Sequence, residues 1–401
     1  MKRQMMLCLL LVLALCASAW GVQRFGPPQF ESGHQLPQTT TPAPRAAVWD
    51  WIDTTVLFAA LCAASWLTLK KRDRRWILGL MIFSLLYFGF WRRGCVCPVG
   101  SIGNVALAAA DSGYAIPFVA AAFFLMPLIF TLFFGRSFCG AVCPLGAIQD
   151  LFVIRPLRVP GPIEAGLRLF AYLYLAAAVV MAATGTLFLI CRYDPFVTFF
   201  RFNGNWDGWA LGVSFLAISI FIARPYCRFL CPYGVILRNL SRLSKWRVTI
   251  TPDECIRCRL CEDVCPFGAI AEPIKELPVA EYAKNKRRLI LFTALVPILA
   301  VGGGWLGWMA YPVLAKSAEV ADPSRPLGAK MAIAAGVFVG LAAAGKLILS
   351  VIHRRQDDYE ARRADCLACG RCFAYCPREQ ARREKCKNQN AKIKMTHQNV
   401  K

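Results

Sequence analysis

"CIRCRLCEDVCP", residues 255–266, sets Cys255, Cys258, Cys261 and Cys265 in the spacing C-x2-C-x2-C-x3-C-P. A second run, "CLACGRCFAYCP" at residues 366–377, repeats it with Cys366, Cys369, Cys372 and Cys376. This is the bacterial ferredoxin spacing for [4Fe–4S] clusters. The chemistry demands it. Three thiolates on one tight loop wrap three irons of a cube. The fourth, ahead of a proline that turns the chain away, reaches the cube of the other motif. The expected sets are therefore Cys255, Cys258, Cys261 and Cys376 for one cluster, and Cys366, Cys369, Cys372 and Cys265 for the other. Structural zinc draws its ligands as two separated pairs, which does not account for two complete four-cysteine runs.

Working outward, the residues between the motifs contain two apolar runs, Leu289–Tyr311 and Met331–Ile352. Two crossings return a chain to the side it left, so both motifs face one compartment. A ferredoxin unit split by a membrane hairpin is the expectation. Five more apolar runs precede it: Trp49–Leu69, Trp76–Trp91, Tyr114–Phe134, Leu167–Ile190 and Trp209–Ala223. Most approach the roughly 20 residues that span a bilayer core. Trp and Tyr recur at their ends, as an interfacial belt requires. The fold class read from this pattern is an all-α integral membrane protein of about seven spans after a signal segment. The split two-cluster ferredoxin unit lies on its cytoplasmic face.

Composition agrees. Of 401 residues, 57% are hydrophobic, too many for an ordinary soluble domain. The net charge of +23 raises nucleic-acid binding, but its distribution points elsewhere. With Trp49 placed outside and the runs alternated, basic residues are about twice as dense on the inner segments, the positive-inside signature. The charge is then a topology signal and a contact with anionic lipid, and no nucleic-acid partner is expected. Three histidines, His34, His353 and His397, lie far apart and outside the apolar runs. That excludes a bundle of b-type haems, and the absence of C-x-x-C-H excludes c-type haem.

The start, "MKRQMMLCLLLVLALCASAW", reads as a secretory signal with Ala17-Ser18-Ala19 at its cleavage site; an uncleaved first span is the alternative. The division expected is a signal or first span over 1–19, an extracytoplasmic Pro-, Gln- and Thr-rich linker over 20–48 and a helical membrane domain over 49–245. The first ferredoxin half covers 246–288, the hairpin 289–352, the second half 353–380 and a basic tail 381–401.

Two further motifs end apolar runs. "FGRSFCGAVCPLGAI" carries Cys139 and Cys143, and "ARPYCRFLCPYGVIL" carries Cys227 and Cys231. Each reads Arg, two residues, Cys-x3-Cys-Pro-x-Gly, with Arg136 and Arg224 before and Gly146 and Gly234 after. Four convergent thiols are soft ligands for iron or an iron–sulfur cluster. Small packing residues at helix ends would not need to be paired or repeated. A shortened third copy, "GCVCPVGSI", holds Cys95 and Cys97. The alternation puts it outside, with Cys191, where an electron exit, an extracytoplasmic disulfide or an error in the topology are the readings; a re-entrant Trp76–Trp91 would produce the last. Cys8, Cys16 and Cys62 read as packing or processed residues, and Cys386 sits in the basic tail. Gly302-Gly303-Gly304 permits close helix packing. Asp194 is a loop cap or a proton-handling group.

These motifs carry a resemblance. The chain resembles the NapH and NosR type of membrane polyferredoxins, over roughly Trp76 to Cys376, in its spans, its two C-x3-C-P motifs and its two ferredoxin motifs. The resemblance implies an iron–sulfur component passing electrons from a quinone pool or a cytoplasmic donor toward a periplasmic reductase. The NosR type also carries an extracytoplasmic FMN domain, for which residues 23–47 are too short, so a flavin would belong to a partner. An assembly or redox-sensing factor using the same clusters is the alternative function.

Overall fold

The first long helix, α1 (Ala47–Trp66), turns Leu57, Ala60, Leu61 and Ala64 inward at helical spacing. Phe58 and Trp66 stay exposed on its other side. It runs on through a wider π-type turn, Leu67–Lys71, and stops where Arg72 takes a left-handed conformation. The structure is a computed structural model describing residues 46–94, 97–154, 156–157, 159–203, 206–250, 255–273, 279–317, 326–352 and 358–382. The expected signal segment, with nearly all of the linker and of the basic tail, lies outside the described residues.

Asp73 caps the next helix, α2 (Arg74–Ser84), by accepting from the Arg75 amide at 2.9 Å. A second wide turn, Leu85–Trp91, carries α2 to its end. There follow α3 (Pro98–Ala110), α4 (Phe118–Phe134), α5 (Pro144–Leu151) and α6 (Gly161–Ala183). After two short helical turns come α7 (Trp206–Ser219), α8 (Pro225–Phe229) and α9 (Pro232–Leu240). One apolar core joins these elements, with Leu61, Ile77, Phe88, Phe123, Phe138 and Tyr226 almost wholly buried in it.

Among the described residues, four helical stretches are long and apolar enough to cross a membrane: Ala47–Lys71, Gly161–Ala183, Ala283–Val313 and Gly328–Val351. The other three expected spans form α2, of 11 residues and continued by the seven-residue turn Leu85–Trp91, and the shorter α4 and α7, of 17 and 14 residues. Two segments expected as outer loops are packed instead. Residues 92–113 contain α3, with Val99 and Ile102 buried, and residues 191–208 bury Phe196 and Phe200. A reading based on windows of about 20 apolar residues passes over helices this short.

The hairpin consists of α11 (Val279–Ser317) and α12 (Pro326–Val351), which follow α10 (Leu260–Asp263). Lipid is as apolar as leucine, so packing rather than burial from water must hold such a pair. Glycine supplies it. Gly303 and Gly336 face each other's backbone, and Gly307 and Gly340 face Ala332 and Leu299, with no room for a β-carbon at any of the four. α12 then packs on α6, where Lys346 donates to the Ala165 carbonyl at 3.3 Å and covers the Tyr172 ring.

The chain on either side of the hairpin rejoins. Strand β1 (Ile270–Ala271) pairs antiparallel with β2 (Glu360–Ala361), Ile270 opposite Ala361 and Ala271 opposite Glu360. α10 packs against α13 (Arg371–Tyr375). Ile250, Cys261, Ile270, Tyr359 and Ala361 form a small core of their own, flanked by Cys255 and Cys265 of the first motif and Cys366, Cys372 and Cys376 of the second. The ferredoxin halves, distant in sequence, make one unit.

Candidate iron–sulfur sites

Both ferredoxin loops close by the same backbone device. The residues flanking the second cysteine are left-handed in each: Arg257 and Arg259 around Cys258, Ala368 and Gly370 around Cys369. Two such turns curl each loop tightly enough for its first three thiols to surround one space. Glycine at 370 takes this conformation freely, and the non-glycine residues at a cost.

The fourth cysteines cross. A recess partly open to solvent is lined by Cys255, Cys258, Cys261 and Cys376, with Ile250, Tyr359, Arg259 and Arg378 around them. Cys265 is turned instead toward Cys369 and Cys366, and Cys372 faces Cys366, Cys369 and Cys265. The Ala269 amide donates to the Cys265 sulfur at 3.4 Å. Burial pushes the Cys261 thiol up to about 11 and the Cys366 thiol up to about 12. A thiolate in either place needs adjacent positive charge, which a bound metal supplies by deprotonating its thiol ligands. Among the described residues no three Cys, His, Asp or Glu side chains meet at single-ion distance. The four thiols that line one recess, Cys255, Cys258, Cys261 and Cys376, offer the ligand set of a [4Fe–4S] cluster.

The membrane thiols share the main core: Cys143 and Cys231 are buried in it, and Cys97, Cys139 and Cys227 pack against it. Cys143 lies beside Cys227. Cys97 faces Cys143, and Cys231 has Cys143, Cys139 and Cys97 as neighbours. Cys97 of the shortened motif is therefore gathered with the other two motifs. Cys191 is exposed but lies one helical turn from Cys97, against Gly100. Cys95 lies outside the described residues. Asp194 is buried and accepts from the Phe196 amide at 2.9 Å, a loop cap. Cys62 is exposed on α1, and Cys8, Cys16 and Cys386 lie outside the described residues.

A buried charge network joins the two groups of cysteines. Asp150 on α5 receives Arg74 at 2.8 Å, Arg224 at 3.3 Å and Arg371 at 3.3 Å. Arg74 also donates to the Cys369 carbonyl at 2.7 Å. Arg224, entirely buried, donates to the Gly140 carbonyl at 3.2 Å and to that of Cys139. Burial by itself would raise the Asp150 carboxyl, but Arg224, Arg371 and Arg74 hold it below the usual carboxylate range. A second bridge runs from Asp365 to Arg238 at 2.6 Å and to Arg168 at 2.9 Å. Arg136 reaches the Ala364 carbonyl at 3.1 Å and the Cys139 sulfur at 3.7 Å. Gly140 closes the contact: a β-carbon there would overlap the Leu367 carbonyl and stand 3.1 Å from that of Ala368.

The motif arginines were legible as part of a repeat. Asp150, Gln149, Arg74, Arg371 and Asp365 were not, because nothing local marks them; their partners lie on other elements. Gln149 is fully buried and donates to the Cys227 sulfur at 3.3 Å.

Comparison with known proteins agrees with the motifs. Residues 116–159 and 206–251 match the 4Fe-4S binding domain family that covers the two C-x3-C-P motifs, and residues 248–271 match a second family of the same description. Protein NirI of Paracoccus denitrificans is 32% identical over 170 residues, 37% of this chain and 25% of NirI. Regulatory protein NosR of Pseudomonas aeruginosa is 31% identical over 216 residues, 48% of this chain and 29% of NosR. Methylamine utilization ferredoxin-type protein MauN of Methylobacillus flagellatus is 28% identical over 153 residues, 36% of this chain and 53% of MauN. The matched part thus spans about a quarter of NirI and less than a third of NosR. No solved structure matches the chain. The resemblance to membrane polyferredoxins holds: the chain is similar to membrane-associated ferredoxin-type proteins and carries 4Fe-4S binding domains.

Proposed function

We propose that the chain is a membrane-bound electron carrier, relaying electrons between a quinone pool or cytoplasmic donor and a reductase partner across the membrane. Cys255, Cys258, Cys261 and Cys376 would hold one [4Fe–4S] cluster, and Cys366, Cys369, Cys372 and Cys265 the other. Bound clusters supply reversible one-electron transfer, with potentials set by burial and by hydrogen bonds to sulfur. The chain's own residues do the positioning. Left-handed turns shape the loops, Ala269 donates to the Cys265 sulfur, and the Asp150 network holds the second loop against the Cys139 turn. The thiols of the C-x3-C-P motifs, Cys139, Cys143, Cys227 and Cys231, lie next inward, and soft donors gathered there suit iron or an iron–sulfur cluster.

The observation that carries this reading is the crossing: Cys376 lines the cavity of the first motif, and Cys265 turns to the second. Surrounding proposals follow the topology. The ferredoxin unit faces the cytoplasm, the chain sits in the cytoplasmic membrane, and its partners are lipid and a quinone or redox protein, with any flavin on the partner. A second reading, a redox sensor or maturation factor, draws on the description of the NosR relatives as regulatory proteins. The test is anaerobic purification with iron and sulfide analysis, then EPR after mixing with a quinol analogue. Reduction of the clusters by the quinol supports the relay. Clusters inert to every quinol, with a partner enzyme lacking its metal when the gene is deleted, would favour the second reading. A colourless, iron-free chain excludes both.

A further inference from the structure

Three copies of Cys-Pro-x-Gly enter the membrane core, and each begins a helix. Cys97, Cys143 and Cys231 occupy the capping position of α3, α5 and α9, with Pro98, Pro144 and Pro232 at the first helical position. Proline suits that place because its missing N–H has no helical partner there anyway. The free amides and the dipole of a helix N-terminus favour negative charge, and a cysteine so placed favours its thiolate. At Cys231 the sulfur accepts from the Gly234 amide at 3.3 Å. At Cys97 and Cys143 the amides of Gly100 and Gly146 face the sulfur without closing a full hydrogen bond.

The glycines leave room around this group. A β-carbon at Gly234 would stand 3.2 Å from the Cys227 carbonyl and 3.5 Å from the Cys231 sulfur. At Gly146 it would stand 3.2 Å from the Cys139 carbonyl, and at Gly100 3.3 Å from the Cys191 sulfur. An independent feature points to an occupant. The Tyr226 side chain is fully buried, its hydroxyl has no hydrogen-bond partner among the described residues, and its neighbours include Cys231 and Cys97.

Cys139 is set differently. It begins no helix, its sulfur is approached by Arg136 at 3.7 Å, and besides the membrane core it packs against the small cluster of Phe267, Ala269 and Leu367, which Cys265, Cys366 and Cys369 also flank. It therefore stands between the membrane thiols, where Cys143 and Cys231 are its neighbours, and the second ferredoxin loop. Cys227, by contrast, lies beside Cys143 and receives Gln149.

We propose that Cys97, Cys143, Cys227 and Cys231 hold a third iron–sulfur cluster, with Cys139 standing between it and the second ferredoxin loop and ligating neither. This rests on the reading that the chain holds iron–sulfur clusters, and it changes the expected set by one residue: the third motif supplies the fourth ligand. Three helix N-termini, Gln149 and Tyr226 would then offset the cluster's negative charge.

The test compares Cys97→Ser, Cys227→Ser and Cys139→Ser in the full chain, purified anaerobically in detergent, by iron content per chain and by EPR of the reduced protein. Wild type and Cys139→Ser are expected to carry the same iron and the same three signals. Cys97→Ser and Cys227→Ser are expected to lack one signal and one cluster's iron while keeping both ferredoxin signals, which also report an intact fold. If Cys97→Ser loses the ferredoxin signals too, Cys227→Ser against Cys139→Ser decides. Loss of the third signal in Cys139→Ser but not in Cys97→Ser overturns the assignment, as does wild-type iron sufficient for two clusters only. A chain without iron removes the underlying reading as well.

Discussion

Replacing Asp150 by asparagine keeps the shape of the side chain and removes its charge from among three guanidinium groups. The Asp150 and Arg224 side chains have no exposure, whereas those of Arg74 and Arg371 retain 18% and 20%. Breaking a buried pair by deleting one partner costs about 3–5 kcal/mol, because the remaining charge is stranded. Arg224 keeps the Cys139 and Gly140 carbonyls as acceptors, which argues for the lower end. The pairs of Arg74 and Arg371 are part-exposed and add at most about 1 kcal/mol each. A loss of about 3 kcal/mol lowers the ratio of docked to undocked second half by about a hundredfold, since 1.4 kcal/mol is a factor of ten. Hydrogen exchange over residues 358–382 in detergent micelles reads that ratio. The stranded cation is the supposed cause, so adding Arg224→Met to Asp150→Asn should recover about half of the loss. The sign with pH follows from the depressed carboxyl. Its contribution is complete above the ordinary carboxylate range near 3.9 and fades only as pH falls through the lower folded value. The gap between wild type and variant should then stay constant from about pH 8 to about pH 5. Protection within about 0.5 kcal/mol of wild type in the single variant, or a double variant no better than the single, would show that this network does not dock the ferredoxin unit.

Cys265→Ser and Cys376→Ser separate crossed from uncrossed ligation. Each should alter the EPR signal of the cluster bound mainly by the other motif, and a change confined to its own motif's cluster would refute the crossing. Gly140→Ala puts a methyl group into the Leu367 carbonyl; such overpacking costs about 1–3 kcal/mol. It should raise exchange in the second ferredoxin loop and leave the first unchanged. Gly336→Leu should open the hairpin, read as loss of an engineered crosslink between positions 299 and 340. An intact crosslink there would mean that glycine contact does not hold the pair.

Much of the ferredoxin unit was legible because its chemistry is local. A thiol spacing imposed by a cube of iron and sulfur is written in consecutive residues. The rejoining of the halves was legible too, since an even number of crossings must return the chain to its side. The interior of the membrane domain was harder. α3 is apolar but only 13 residues long, so it reads as part of a loop, and the side assigned to Cys97 followed from that. Asp150 looks like an ordinary polar residue of a short helix until Arg74, Arg224 and Arg371 are seen around it. They come from α2, from the turn before α8 and from α13, and no sequence window contains all of them.

The hairpin also gives the path a direction. Under the crossed assignment, the first cluster lies where Cys258 is exposed and the cavity opens to solvent. The second lies against Cys139 and Gly140, behind the Asp150 network. Cutting a ferredoxin between its motifs with a membrane hairpin tethers both halves close to the bilayer. The charged network then selects which loop touches the thiol turns. A symmetric, freely tumbling ferredoxin would offer either cluster to either partner. Under the proposed relay a soluble donor would meet the first cluster, and only the second would abut the membrane thiols. Reversing the charges, with Asp150→Arg and Arg371→Asp together, should therefore leave reduction of the first cluster by a soluble donor intact while slowing its exchange with any membrane acceptor. Equal slowing of both steps would mean that the network shapes the whole ferredoxin unit and does not orient it.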